Sequence, residues 1–281
     1  MISLNLLTLY GQTLFNSEIF FLQNKKSELK NFIILCVCYL MVAACRNNNG
    51  KGLAFQSPSD SALKPAIVLS DSGWTSLSDG QSLRDWHTYG KKQVGTAWNI
   101  DSGSIHLKPG AKNGYQTAGG GDLVSNDSFS NFDMKLEWKI GRKANSGIMI
   151  FVQEDTMKYK ETWNTGPEMQ VCDKDSNEDA HSFKHEAGDL YDLIASRVMS
   201  AKPALEWNQV EIVSNNQRLD LYLNDVHIIS TVLWDEAWKK LIAESKFKTM
   251  PGFGSFHSGH IALQDHGEEV WYRNIKVKKI Q

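Results

Sequence analysis

A regular alternation of apolar and polar residues is the feature that most limits how this chain can fold. In the segment FDMKLEWKI, residues 132–140, the apolar Met134, Leu136 and Trp138 take every second position, between charged residues. Successive side chains of a β-strand point to opposite faces, so the segment predicts a strand with one buried face. Six further segments show a similar pattern: SGIMIFVQE, PEMQVCD, NQVEIVS, RLDLYLND, HIALQDH and VWYRNIKVKKI. Many short strands favour an all-β fold, either a two-sheet sandwich or a barrel.

The helix and turn signals agree with an all-β fold. Only residues 235–247, DEAWKKLIAESKF, have helical spacing, with Ala237, Leu241 and Ile242 on one side. The pair Asn224-Asp225 between two strand segments predicts a hairpin turn. No internal repeat or linker divides the sequence after Trp74, so we expect one β-rich domain there.

Charge and motifs exclude several classes of function. The chain has 30 Lys and Arg residues against 32 Asp and Glu residues, a net charge of −2. It therefore has no basic surplus to neutralise a phosphate backbone, and nucleic acid is not an expected partner. The sequence also contains no GxSxG, Walker A, HExxH or CxxC motif, which disfavours serine hydrolysis and nucleotide chemistry.

The N-terminal region is typical of a bacterial lipoprotein signal. A basic stretch from Lys25 is followed by the apolar run 32–44 and by Cys45. This run of about 13 residues is shorter than the roughly 20 that a spanning helix needs. We therefore expect residues 1–44 to be removed, Cys45 to be lipid-modified, and the protein to be anchored in the cell envelope; the membrane leaflet stays open. An ordinary secretory signal with an incidental cysteine is the alternative, and residues 1–24 leave the natural start open.

Two boundaries follow from this N-terminal signal. The polar residues 45–70 are interpreted as a lipidated tether, and residues 71–281 as the folded domain. Cys36 and Cys38 leave with the signal and Cys45 carries lipid, so Cys172 remains alone and no intramolecular disulfide is expected.

Two strand segments place polar groups where chemistry could occur. In TGPEMQVCD, residues 165–173, Glu168 and Gln170 alternate with apolar residues, so they share a face that lies either in solvent or in a groove. In GHIALQDHG, residues 259–267, Gln264 and His266 share the face opposite the apolar one. A histidine is a natural general base near neutral pH, although an ordinary surface histidine is the alternative.

An acidic segment lies between these two strands in sequence. Residues 173–193, DKDSNEDAHSFKHEAGDLYDL, offer oxygen and imidazole ligands in Asp173, Asp175, Asp179 and His181. Such groups suit a divalent metal, but their spacing matches no EF-hand or zinc motif. The alternatives are a solvated acidic loop and a metal site, and the sequence identifies no cofactor.

The order of segments resembles the DUF1080 family, also called the 3-keto-disaccharide hydrolase domain. The matching segments are WTSLSDGQSLRDW, WNIDSGSIHL, DLVSNDSFSNFDMKLEWKI, NSGIMIF, TGPEMQVCD, GDLYDLI, EWNQVEI and GHIALQDHGEEVWYRNIKVKKI. The resemblance implies a concanavalin A-like jelly roll of two sheets in a secreted or lipid-anchored bacterial protein. It also implies a carbohydrate substrate: a glycoside oxidised to a ketone at C3, whose C2 proton a base removes before the C1 leaving group is eliminated.

The resemblance further suggests which residues form the site. The residues expected to be catalytic are Glu168, Asp173, His181 and His266. The residues expected to bind substrate are Glu137, Asn145, Gln170, Tyr191, Gln264 and Arg273. In this hypothesis His266 or His181 is the base, while Glu168 and Asp173 orient it, bind hydroxyl groups or hold a cation.

Two other functions stay open at this point. A retaining glycosidase needs two carboxyl groups about 5 to 5.5 Å apart. The strand that carries Glu168 has Gln170 at the next position on the same face, although Glu137 on another strand could supply the partner. A non-catalytic carbohydrate-binding module is the other alternative, because the same fold supports lectins.

Overall fold

The structure is a computed structural model, which describes residues 73–281 of the chain. Fifteen strands and one α-helix are present in this part of the chain. Their bounds in chain order are β1 Trp74–Ser76, β2 Trp86–Thr88, β3 Trp98–Asp101, β4 Ser104–Leu107, β5 Lys112–Asn113, β6 Gln116–Thr117, β7 Leu123–Phe129, β8 Phe132–Ile140, β9 Asn145–Val152, β10 Glu168–Cys172, β11 Asn208–Asn215, β12 Arg218–Leu223, β13 Val226–Val232, α1 Glu236–Ala243, β14 Gly259–Leu263 and β15 Val270–Lys279. The short 3-10 helices are Thr162–Asn164 and Asp179–His181.

Two antiparallel sheets form a sandwich of the jelly-roll type. The larger sheet has the order β13-β12-β11-β8-β15-β4-β3, with β1 paired to β15. The smaller sheet has the order β10-β9-β14-β7-β2, and β5 and β6 form a separate hairpin. The chain passes between the two sheets several times, for example between β8 and β9, between β10 and β11, and between β14 and β15. The expected all-β, concanavalin A-like architecture with one minor helix is confirmed.

Alternating residues of both sheets fill the space between them. Met134, Leu136 and Trp138 of β8 are buried in the core, whereas the charged residues between them are only half-buried. From the smaller sheet, Ile148 of β9 and Met169 of β10 enter the same core. The period-2 pattern therefore determines which face of each strand is covered.

The helix differs from its sequence-based prediction in the residue that anchors it. Asp235 caps the first turn by accepting a hydrogen bond from the Trp238 backbone N–H at 2.7 Å. Trp238 is buried and donates from its indole to the Gly254 carbonyl, while the expected inward residue Ala237 is exposed. The prediction for Ala237 was wrong because the larger Trp238 ring takes the core position.

Other local predictions concern the turn at Asn224-Asp225 and the lone cysteine. Both turn residues have positive φ, 52° and 64°, as a tight hairpin between β12 and β13 requires. Cys172 is buried, with its Sγ 3.8 Å from the His185 carbonyl oxygen. Within residues 73–281, no helix has the length and apolar character to span a membrane. The predicted signal, Cys45 and tether lie outside the described residues.

Candidate functional site

A pocket of about 400 Å³ lies on the face of the smaller sheet that points away from the core. Its floor comes from β9, β10 and the residues that follow β14, and its walls come from loops. The lining residues are Tyr115, Asn145, Trp163, Glu168, Gln170, Tyr191, Lys246, Phe247, Met250, Gln264 and His266.

A glycine makes room for the floor of this pocket. Gly147 lies opposite Gln170 in the β9–β10 ladder and accepts a 2.9 Å hydrogen bond from the Gln264 backbone N–H on its other side. Since Gly147 has no side chain, a gap is left between the two glutamines. The Glu168 side chain lies across this gap, where a Cβ at position 147 would overlap its carboxyl group. The close approach of the carboxyl group therefore requires glycine at this position.

Three buried amide groups of the pocket have polar atoms without a protein partner. Asn145 Oδ1, Gln170 Nε2 and Gln264 Oε1 are all inaccessible to solvent, and no described residue hydrogen-bonds to them. Buried polar atoms are paired in most proteins, because leaving one unpaired costs about 1–3 kcal/mol. Three such atoms in one pocket are suited to the hydroxyl and carbonyl groups of a sugar.

Glu168 is the ionisable group at the centre of the site. Its side chain is buried, with 6% of the residue exposed, and no hydrogen bond from the described residues reaches its carboxyl group. Burial raises the pKa of Glu168 to about 8, which the positive charge of Lys246 partly opposes and the charges of Asp122 and Asp179 reinforce. Burial also lowers the pKa of Lys246. This site therefore holds a carboxyl group that exchanges a proton near neutral pH.

Aromatic residues from loops form the walls. Tyr115 donates to Glu161 Oε2 at 2.8 Å and accepts a 3.3 Å hydrogen bond from the Trp163 indole. The Tyr191 ring lies 4.0 Å below the Lys246 ammonium group. Burial raises the pKa of both Tyr115 and Tyr191, so the two phenols stay protonated. Aromatic faces next to polar groups are typical of sugar-binding pockets.

The edge of the smaller sheet brings Tyr191 to Glu168. β10 is an edge strand, and residues 188–191 lie along it as an extra strand-like segment. Gln170 exchanges backbone hydrogen bonds of 2.9 Å with this segment, and the Tyr191 backbone N–H donates to the Glu168 carbonyl at 2.9 Å. The segment supplies hydrogen-bond partners for the open edge of β10 and holds Tyr191 in the pocket wall.

Two buried aspartates support the pocket from below. Asp265 accepts hydrogen bonds from the backbone N–H groups of Thr117, Gly121 and Gly267 at 2.8 to 3.1 Å. Asp122 accepts from Thr162 Oγ1 and, at 2.9 Å, from the Asp265 backbone N–H. Burial raises the pKa of Asp122 to about 6. This network ties β14 to the β5–β6 hairpin and to the 3-10 helix, which carry Tyr115 and Trp163.

The structure brings six of the residues expected from sequence into this one pocket. They are Asn145, Glu168, Gln170, Tyr191, Gln264 and His266. For Glu168 and Gln170 the groove, rather than open solvent, is the correct alternative. His266 lies at the rim: its side chain is 39% exposed, its Nδ1 is 3.1 Å from Glu268 Oε2, and its ring lies 5.7 Å from that of Tyr115.

The other four expected site residues do not line the pocket, so placing them in it was wrong. Asp173 accepts from the Asp175 backbone N–H at 3.2 Å within the turn after β10, and from the Lys143 backbone N–H of the loop before β9 at 2.8 Å. His181 is exposed at the end of its 3-10 helix. Glu137 and Arg273 form a 2.7 Å ion pair on the outer face of the larger sheet. Alternation predicts the face of a strand but not the sheet to which the strand belongs, which explains the error for this pair.

The candidate metal ligands are also separated. Asp179 bonds to His185 at 2.7 Å and to Tyr191 at 2.8 Å, whereas Asp173 forms its own turn and His181 faces solvent. Within the described range 73–281, no group of three or more His, Cys, Asp or Glu side chains is arranged to hold a metal ion.

Comparison with known proteins places the chain in a family. A model of the 3-keto-alpha-glucoside-1,2-lyase-like domain matches residues 73–278. The chain belongs to this family. A 3-keto-disaccharide hydrolase from Bacteroides thetaiotaomicron is 34% identical over 226 residues, which cover 73% of this chain and 78% of that protein.

Solved structures resemble this 3-keto-alpha-glucoside-1,2-lyase-like domain over most of their length. One protein from Parabacteroides distasonis, assigned as a glycosyl hydrolase, has 28% identity and a TM-score of 0.67, and the match covers 74% of this chain and 94% of that one. A second from the same organism has 20% identity and a TM-score of 0.53, covering 74% and 99% of the two chains. The second resemblance concerns the fold alone.

Sequence reasoning missed five pocket residues of this lyase-like domain: Tyr115, Trp163, Lys246, Phe247 and Met250. All five lie outside the strands that the alternation predicts. Trp163 is close in sequence to Glu168, which is a weak signal. The segment 246–250 follows α1, and nothing in its pattern indicates that it packs beside β10.

Proposed function

We propose that this protein is a glycoside-cleaving enzyme whose substrates carry a ketone at C3 of the sugar. The observation that carries the proposal is Glu168. Among the described residues that line the pocket it is the only carboxylic acid, and none of residues 73–281 hydrogen-bonds to its carboxyl group. A C3 ketone acidifies the proton on C2, so a single base can start the reaction. The family and the name of the Bacteroides thetaiotaomicron relative support the same substrate class.

The lining of the pocket disfavours an ordinary glycosidase. Retaining and inverting enzymes both need two carboxyl groups facing the bond, about 5 to 9.5 Å apart. Asp122 is buried below the floor and hydrogen-bonded to Thr162, so it offers no second face to a sugar. Glu137, the partner considered from sequence, lies on the other sheet in an ion pair with Arg273.

In the proposed first step, the ionised Glu168 carboxylate takes the proton from C2. The electrons of the C–H bond form an enolate, whose negative charge falls on the C3 oxygen. Gln170 Nε2, a buried donor without a partner, and the Lys246 ammonium group are the groups that can stabilise this oxyanion. The free acceptors Asn145 Oδ1 and Gln264 Oε1 would hold sugar hydroxyl groups.

In the next steps the C1–O bond breaks and water completes the hydrolysis. The enolate re-forms the ketone and expels the C1 oxygen, leaving a C1=C2 double bond. His266 at the rim is placed to give a proton to the departing oxygen. Water then adds its oxygen to C1, Glu168 returns its proton to C2, and His266 takes the remaining proton. The reaction is therefore balanced without a further reactant.

We also propose that the enzyme works in the cell envelope, held by lipid at Cys45. The support is the sequence alone: the basic stretch from Lys25, the short apolar run 32–44 and the small residues before Cys45. A glycan substrate outside the cytoplasm is consistent with this location.

The proposal is tested by release of nitrophenol from a nitrophenyl 3-keto-glucoside, compared with the unoxidised glucoside. Residues 46–281 would be used, with and without EDTA. We expect release from the keto substrate only. Loss of activity with EDTA would add a metal to the mechanism above.

Two results would contradict the proposal. Cleavage of the unoxidised glucoside at a similar rate would require a two-carboxylate mechanism. No cleavage of either substrate, with sugar binding intact, would indicate a carbohydrate-binding module instead. His266→Ala and Glu168→Gln are the informative variants, and full turnover in both would remove the assigned roles.

A further inference from the structure

The acidic segment after β10 contains a histidine held between two carboxylates. His185 Nδ1 lies 2.7 Å from Asp179 Oδ1, and its Nε2 lies 3.3 Å from Asp192 Oδ1. Each ring nitrogen therefore lies within hydrogen-bond distance of a carboxylate oxygen, and the imidazole ring bridges the two aspartates. The His185 side chain is 18% exposed, which keeps the group partly shielded from water.

Each of these carboxylates uses its other oxygen to hold a residue of the pocket. Asp179 Oδ2 accepts a 2.8 Å hydrogen bond from the Tyr191 hydroxyl. Asp192 Oδ2 accepts a 2.6 Å hydrogen bond from the Lys246 backbone N–H. Two chains of hydrogen bonds therefore begin at His185: one leads through Asp179 to Tyr191, and the other through Asp192 to Lys246.

The Tyr191 ring lies between the His185 ring and the Lys246 ammonium group. The His185 ring stacks on it at 4.2 Å with an interplanar angle of 23°, and the Lys246 ammonium group lies 4.0 Å from its centroid. Contacts of this kind orient an aromatic side chain that could otherwise rotate about its χ angles. The ring therefore presents a fixed edge to the pocket beside Glu168.

We propose that His185 is a positioning residue: its ring joins Asp179 to Asp192, and these carboxylates place the Tyr191 ring and Lys246 beside Glu168. The inference rests on the proposed function, because the pocket that it organises is the one assigned to the sugar ketone. The groups that face His185 are Asp179 from the 3-10 helix, Tyr191 from the segment 188–191, Asp192 directly after that segment, and the Cys172 thiol from β10, whose Sγ contacts the His185 carbonyl.

Loss of His185 should disturb the pocket more than the fold. The Tyr191 backbone remains tied to β10 through the Glu168 carbonyl, so the edge segment stays in place. Without this histidine, Asp179 and Asp192 lose their common partner and hold the Tyr191 hydroxyl and the Lys246 backbone N–H less firmly. We therefore expect the wall to loosen while the sandwich stays folded.

The test compares His185→Ala with the matched variant His227→Ala. His227 also bonds to an aspartate, with Nε2 2.9 Å from Asp220 Oδ1, and also stacks on a tyrosine, Tyr222, at 4.7 Å. It joins β12 and β13 of the larger sheet. We expect kcat/KM on the 3-keto-glucoside to fall on the order of 10- to 100-fold in His185→Ala. His227→Ala should keep the wild-type value, and both variants should stay folded.

Chemical rescue separates positioning from simple packing. Added imidazole, at a pH where it is protonated, has two N–H donors and should restore a large part of the activity of His185→Ala. 1-Methylimidazole fills the same space but offers one N–H donor, so it should restore much less. Equal rescue by both compounds, or an unchanged kcat/KM in His185→Ala, would overturn the proposal.

Amide hydrogen exchange provides a readout that does not depend on turnover. The Lys246 backbone N–H, bonded to Asp192, should exchange faster in His185→Ala and at the wild-type rate in His227→Ala. An unchanged exchange rate in His185→Ala would refute the positioning role of His185 even if the enzyme is active. If the wild-type protein cleaves no 3-keto-glucoside but the Lys246 N–H still exchanges faster in His185→Ala, the positioning role of His185 is supported and the proposed function is rejected.

Discussion

Glu168 is the single residue whose burial bears most directly on its proposed role as the base. Its carboxyl group is buried and receives no hydrogen bond from the part of the chain that the structure describes, and its pKa is raised from an ordinary value near 4.5 to about 8. We expect Glu168→Gln to lower kcat/KM by about 10²- to 10⁴-fold, because the amide cannot accept the C2 proton. In the wild type kcat/KM should rise with pH up to about 8 as the carboxyl group ionises. A rate that is flat between pH 6 and pH 8 would argue against Glu168 as the base.

The same shift predicts how stability depends on pH. A carboxyl group whose pKa is higher in the folded than in the unfolded state stabilises the fold while it is protonated. This contribution is present below pH 4.5 and is lost as the pH rises through about 8. Glu168→Gln does not ionise, so its free energy of unfolding at pH 8 should exceed that of the wild type by on the order of 2 kcal/mol or more. Urea unfolding at pH 5 and pH 8 measures the difference, which should be smaller at pH 5.

Gly147 is the second residue whose role can be tested directly. An alanine Cβ at this position would meet the Glu168 carboxyl group, the movable end of a side chain. We therefore expect Gly147→Ala to fold but to lose on the order of 100-fold in kcat/KM, because the base is displaced from the floor. Gly110→Ala is the control, since its Cβ would make only an ordinary 3.7 Å contact with Thr117. Activity equal to wild type in Gly147→Ala would show that Glu168 need not lie over the gap.

At the scale of elements, Asp265 joins the end of β14 to the β5–β6 hairpin. Its buried carboxylate accepts three backbone hydrogen bonds and one from the Thr117 hydroxyl. An amide can accept at only one of its two polar atoms, so Asp265→Asn leaves donors unpaired. We expect the free energy of unfolding to fall by about 2–4 kcal/mol and KM to rise as Tyr115 loses support. Asp127→Asn, at an exposed position, should change neither quantity. Equal stabilities of the two variants would contradict this role.

The edge strand β10 shows how an element and a site depend on each other. β10 needs a partner for its open edge, and residues 188–191 supply it with backbone hydrogen bonds of 2.9 Å. The same segment carries Tyr191 into the pocket. There the Tyr191 ring stacks on His185 and its hydroxyl bonds to Asp179. Part of the acidic segment 173–193 therefore forms the wall of the pocket.

At the scale of the whole molecule, the sandwich separates two polar surfaces. The pocket with Glu168 lies on the outer face of the smaller sheet. Glu137 and Arg273 lie on the outer face of the larger sheet, where Arg273 also stacks on Trp207 at 3.9 Å. The full core thickness lies between these surfaces, so residues of the second surface cannot take part in chemistry at the first.

The location of the enzyme is also a property of the whole chain. We expect full-length protein to incorporate a fatty-acid label and to enter the membrane fraction when expressed in a bacterial host. Cys45→Ser should remove the label and release the protein from membranes, since the predicted anchor is a lipid rather than a spanning helix. Cys172→Ser is the matched control, because that thiol is buried and should carry no lipid. Labelling that persists in Cys45→Ser would reject the lipid anchor.

The alternation in the sequence predicted seven of the fifteen strands in residues 73–281, β8 to β12, β14 and β15, and the face that each turns to the core. The alternation in residues 132–140 predicted β8 with its observed bounds, and the pattern in residues 165–173 and 259–267 predicted that Glu168, Gln170 and Gln264 share the face away from the core. These inferences hold because side-chain direction in a strand is a local property with a period of two. The resemblance of the segments to a family was sufficient to identify the fold and the kind of substrate to test.

Which strands share a sheet, and which loops close over them, depends on contacts between segments that are remote in sequence. Glu137 and Glu168 show similar local patterns, yet they lie on opposite outer faces because the chain changes sheet between β8 and β9. Tyr115, Trp163 and Lys246 reach the pocket through loops that are distant in sequence from one another. Such contacts depend on packing between remote segments, which no local period records, and the pKa of Glu168 depends on the burial that this packing creates.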